Sequence, residues 1–120
     1  MEWLFDHLPV YQDCFELLVR MCGFIRSFPR EYKYTFWEYL QKYSAEALSE
    51  ISTATMLTDK KEKMQHIEKA RQNTELLKVY WRVCKEVNIL PNNWYVSELN
   101  QMVNISKQIN SRLAFCKKAG

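Results

Sequence analysis

Along most of this chain apolar residues return every three or four positions, the spacing of one face of an α-helix. The first such stretch runs over residues 10–27, with Cys14, Leu17, Leu18, Met21, Cys22 and Ile25 on one line. Pro9 stands where a first helical turn tolerates a missing N–H. Gly23 lies inside this pattern at a cost of about 1 kcal/mol relative to alanine, which predicts a close approach to a neighbouring helix. Phe28-Pro29 ends the stretch, because proline disfavours the α conformation in the residue before it.

A second helix is predicted over 35–57, after a connection at Arg30–Thr35 that carries possible helix-starting residues. Its line is Phe36, Leu40, Tyr43, Ala47, Ile51 and Ala54, with Leu48 on the flank. Asp59, with Glu62 three residues on, is a capping-box-like start for a third helix over 60–88. Ile89-Leu90-Pro91-Asn92-Asn93 breaks it, and either asparagine suits the cap of a fourth helix over 94–117. That helix carries Tyr95, Leu99, Met102, Val103, Ile109, Leu113 and Cys116 on one line. Short connections make sequence neighbours run in opposite directions. The expected fold class is therefore all-α, an antiparallel up-down-up-down four-helix bundle in a single domain over 1–120.

Composition supports helices over sheets. There are two glycines and three prolines in 120 residues, too few for the many tight turns of an all-β fold. Six Phe, seven Tyr and four Trp exceed what one small core hides, so some of them are expected at a subunit interface. The four cysteines form no C-x-x-C pair, and there are only two histidines. Buried reduced thiols fit this better than a zinc site. The start, Met1–Pro9, lacks the basic and apolar regions of a signal peptide, and no apolar run is long enough to span a bilayer. The expectation is a soluble cytoplasmic protein.

No phosphate loop, nucleophile elbow or zinc-protease motif is present. Glu62, Glu68 and Glu75 sit among lysines on polar faces, where helical pairing is their ordinary role. His66 has no partner in sequence that points to a nucleophile or a metal. A non-enzyme without cofactor or metal is expected.

The net charge is +3, and its placement says more than its size. At about 100° per residue with Arg71 as zero, Lys60 and Lys78 fall at about −20°, Arg82 at about +20° and Lys85 at about −40°. Leu76, Leu77, Tyr80, Val83, Cys84 and Val87 centre on the opposite side, which predicts that the cation line faces away from the core. A solvated face with Glu68 and Glu75 as compensating partners is one reading. An anion-binding track, repeated around an oligomeric ring, is the other. Arg26, Lys117 and Lys118 stand near helix ends, where dipole complementation and solubility are the expected roles.

Leu8-Pro9-Val10-Tyr11 and Ser27-Phe28-Pro29-Arg30-Glu31-Tyr32-Lys33-Tyr34-Thr35 resemble a four-helix-bundle family with two branches. One is the accessory variability determinant of diversity-generating retroelements. The other is the protein encoded in intervening sequences of bacterial 23S rRNA genes. The chain departs from the family pattern at Phe36-Trp37, where relatives often have Leu-Gly. It departs again at Ser111-Arg112-Leu113, where many carry Gly-Gly-Trp.

The first branch implies a small basic homopentamer without a catalytic centre. Such a protein binds reverse transcriptase and nucleic acid, template RNA or DNA, and supports mutagenic cDNA synthesis. Arg71, Lys78, Arg82 and Lys85 match its basic positions in kind. The second branch implies a bundle with no polymerase partner. A third reading, an enzyme with a small-molecule or metal site inside the bundle, requires clustered core carboxylates or His66, and no such cluster is visible in the sequence.

Overall fold

Helix formation begins where proline and the apolar line coincide. In the computed structural model, which describes residues 8–118 (Ile25 by its backbone alone), Pro9 opens helix α1, Pro9–Gly23. A tighter 3-10 turn, Phe24–Ser27, carries the chain onward. Phe28 is buried and Pro29 is extended, with ψ 145°. Helical backbone resumes at Arg30, inside the stretch expected as a connection. It passes through a widened π-turn at Lys33–Trp37 and becomes helix α2, Glu38–Met56. The Trp37 indole N–H donates to the Met21 carbonyl at 3.1 Å, tying this turn to the end of α1.

Asp59 caps helix α3, Lys60–Glu86, by accepting from the Glu62 N–H at 2.9 Å. That bond satisfies one of the four unpaired donors of a helix start. Asn88 ends the helix with a left-handed φ of 61°, and the Ile89 N–H reaches back to the Cys84 carbonyl at 3.1 Å. Asparagine is among the few residues that take this conformation readily. Helix α4 is Asn92–Lys118. Neither asparagine precedes it as a cap: both lie within its first turn, and the Pro91 carbonyl accepts from the Tyr95 N–H at 3.1 Å. At 1.5 Å per residue, the 27-residue helices α3 and α4 run about 40 Å, most of the 47 Å long axis.

Among the described residues there is no strand. α1 packs on α2 and α4, and α3 packs on the same two helices. Named side chains join the pairs. Asp13 accepts from Asn104 at 3.1 Å and from Gln108 at 2.7 Å, and Arg20 meets Glu98. Glu50 meets His66, and Tyr39 stacks on Tyr80. Trp81 donates to the Tyr95 carbonyl at 3.0 Å. The core holds Met21, Leu40, Leu77, Trp81, Met102 and Ile109, all closed to solvent. Phe24 packs on Trp81 and Trp94 with ring centroids 5.4 and 5.1 Å apart.

Several expectations need correction. Gly23 is exposed, and a β-carbon added there would meet nothing within 4 Å, so no close helix approach explains it. All four cysteines are free, but Cys22 is exposed. The core line of α3 is Ile67, Ala70, Thr74, Leu77, Trp81 and Cys84, while Leu76 and Val87 of the expected apolar side face solvent. The expectation for the Ile25 side chain, and those for residues 1–7, fall outside the described residues.

Candidate anion-binding groove

The shifted core line moves the cations with it. The buried residues of α3 centre about 80° from the line of Lys60, Arg71, Lys78, Arg82 and Lys85. The cations therefore do not face away from the core. They run along the flank of α3 that meets α4, as their neighbours show. Lys85 Nζ stands 4.7 Å from the ring centre of Tyr95 on α4. Glu75, beside Lys78, accepts from Ser106 of α4 at 3.4 Å.

This position splits the five residues. Arg71 donates through Nε to Glu68 Oε1 at 2.9 Å, and its terminal nitrogen reaches the same oxygen. The hydrogen bond from Arg71 is the main cause of the lowered Glu68 pKa, and Glu68 in turn raises that of Arg71. Lys78 Nζ lies 2.8 Å from Glu75 Oε1. These two cations are locally neutralised at i,i+3 spacing. Arg82 is exposed and has no hydrogen bond or ion pair among the described residues. Lys85 is exposed at the same end of the line.

Lys60 differs from the others. It is half-buried, and its Nζ is shut from solvent with no hydrogen-bonding partner. A buried ammonium without an acceptor is costly. It lines a groove of about 890 Å³ between the start of α3 and the end of α4. Lys61, Lys69 and Lys117 line the same groove, opposed by Asp59 and Glu68. Four lysines and two acidic residues thus line it, and Glu68 already serves Arg71. The attraction of Lys117 also helps hold the Glu68 pKa down. An anion entering here meets an excess of positive charge.

Three of these residues were not legible as a site. Lys61 and Lys69 lie off the cation line of α3. Lys117 comes from another helix, so only folding brings it beside Lys60. The adjacent pair Lys60-Lys61 was the available signal.

His66 belongs to neither set. Its Nδ1 lies 2.5 Å from Glu50 Oε2, across α2 and α3. Among the described residues no group of three histidine, cysteine or acidic side chains is arranged to hold a metal. Among the described residues no helix is long and apolar enough to cross a membrane.

Comparison with solved structures gives a likeness in fold. The chain is an all-helical bundle. It superposes on the crystal structure of a protein of unknown function from the S23 ribosomal protein family of Bacteroides thetaiotaomicron with a TM-score of 0.81. The likeness covers 87% of this chain and 97% of that one at 12% sequence identity. No family model matches the sequence, and no curated protein matches it.

Proposed function

We propose that the chain is a non-catalytic accessory subunit that binds nucleic acid through the α3–α4 flank. The observation that carries this reading is the lysine groove around the unpartnered Lys60 amine, with Arg82 and Lys85 farther along the same helix. Phosphates supply the acceptors that these cations lack. In the retroelement reading, reverse transcriptase and template RNA are the partners, and the subunit supports mutagenic cDNA synthesis by holding the two together. The resemblance of Phe28–Thr35 supports that finer assignment.

The working form is a homo-oligomeric ring of antiparallel bundles. The named cross-helix pairs support alternating helix direction, since early residues of one helix meet late residues of the next. Two apolar strips support the ring. Phe15 and Val19 are exposed on α1, and Leu76, Val79 and Val87 are exposed on α3. α1 and α3 stand across the bundle from each other, so the strips point in opposite directions. Head-to-tail contacts between unlike faces close into a ring when the rotation between neighbours brings the last copy back to the first, and extend as a filament when it does not.

The test is retention by the tethered protein. Wild type should hold both reverse transcriptase and template RNA. A variant with Lys60, Lys61, Lys69 and Lys117 changed to Gln should release the RNA, while replacement of Arg71 and Lys78 should not. RNA retained equally by all three proteins would remove the groove from the account. The likeness to the S23-family structure favours a second reading, an rRNA intervening-sequence type of bundle. Such a protein would hold RNA but never polymerase.

A further inference from the structure

Where α1 begins and α4 ends, the described residues leave a hollow. Leu8, Ile51, Ala54, Ile67, Phe115 and Cys116 wall a hollow of about 610 Å³ supplied by all four helices. Small-molecule sites occupy about 300–1,000 Å³ and are commonly found between the helices of bundles. Ile51, Ala54 and Ile67 are each at most 4% exposed, so the floor is a dry apolar surface.

Two cations enter this hollow, Lys63 from α3 and Arg112 from α4. Both are half-buried, and neither has a hydrogen bond or ion pair among the described residues. Among the described residues no carboxylate lines the space. Apolar wall left against water forfeits the gain of burial, and partly desolvated cations without a counter-charge are unfavourable. One kind of occupant answers both. We propose that the hollow binds a small amphipathic carboxylate, with its alkyl or aromatic body on the apolar wall and its carboxylate between Arg112 and Lys63. The guanidinium fork suits the two carboxylate oxygens, and the lysine adds a mobile point charge. Inorganic phosphate would leave the wall unused, and a neutral hydrocarbon would leave the cations unpaired.

This site is separate from the lysine groove. Lys61 and Lys63 are two positions apart on α3, which places them on well-separated faces of the helix. The inference therefore stands or falls independently of nucleic-acid binding.

The experiment compares octanoate with octan-1-ol by titration calorimetry on the full chain. Octanoate should bind about tenfold more tightly, the ratio that one charge-assisted contact of about 1.4 kcal/mol gives. Changing Lys63 and Arg112 together to Gln should abolish that preference and leave octanol binding unchanged. Ser111→Trp, placed at an exposed position on the rim, should weaken both ligands without touching the core. No binding at about 1 mM (a Kd weaker than ordinary small-ligand affinity), equal affinities, or a preference that survives the double change would each overturn the proposal. So would a Ser111→Trp protein that still binds both ligands as wild type does.

Discussion

Arg20 of α1 places its Nε 2.6 Å from Glu98 Oε1 and 2.9 Å from Oε2, and Glu98 is a buried residue on α4. The pair ties two helices that share few other polar links, and it lets a carboxylate sit 5% exposed. Removing one partner strands the other. Arg20→Met should cost about 2 kcal/mol, less than for a fully enclosed pair because the arginine is about a third exposed. Urea unfolding followed by circular dichroism checks this. Adding Glu98→Leu to Arg20→Met should recover most of the loss, since the unpaired charge is then gone.

The thiols differ sharply in environment. Burial pushes both Cys14 and Cys84 up to about 12 from an ordinary 9.0, with Asp13 adding to the shift at Cys14. Cys22 is the exposed one. A thiol reagent at pH 8 should therefore titrate one fast group, and Cys22→Ser should remove that phase. The raised pKa values also set an alkaline limit. Unfolded thiols ionise near pH 9 while the folded ones hold their protons, so stability is full below that point. It falls as pH rises from about 9 toward about 12. Denaturant melts across that range should show a shallower fall for Cys14→Ala than for wild type.

The two apolar strips make a mixing prediction. Phe15→Asp with Val19→Asp should leave a monomer whose α3 strip is intact. Val79→Asp with Leu76→Asp should leave a monomer whose α1 strip is intact. Mixed in equal amounts, the two should form a dimer and stop there, because each retains one half of an unlike-faced contact. Sedimentation velocity resolves the outcome. Continued self-association of either variant alone would show that the strips are not the interface.

Much of the fold was legible in the pattern of residues. The capped start of α3 at Asp59–Glu62 was visible as a spacing, and the bond forms as that spacing predicts. Leu40, Ala47, Ile51 and Ala54 of α2 and Met102, Ile109, Leu113 and Cys116 of α4 were visible in the spacing, whereas the buried Ser44, Glu98 and Ser106 are polar and carry no such signal. α3 misled because it carries two apolar lines. Leu76, Val83 and Val87 are larger and more apolar than Ala70 and Thr74, so periodicity points at the outer line. Yet Ala70 and Thr74 are buried alongside Ile67, Leu77 and Trp81, where close packing against α2 and α4 leaves no room for more. The cation line was found, but its facing was read from the wrong core. Pairing of Arg71 and Lys78 with glutamates three residues earlier is local and was foreseeable. The meeting of Lys117 with Lys60 is tertiary, and no helical spacing encodes it.

The most direct measurement is the salt dependence of RNA binding, followed by fluorescence anisotropy of a labelled single-stranded RNA. Each lysine that neutralises a phosphate contributes about −0.7 to the slope of log affinity against log salt. Replacing Lys60, Lys61, Lys69 and Lys117 with Gln should flatten that slope by about 3, whereas replacing Arg71 and Lys78, which Glu68 and Glu75 already hold, should leave it nearly unchanged. Circular dichroism should show both variants fully helical. A four-lysine variant that binds RNA with the wild-type slope would contradict the account.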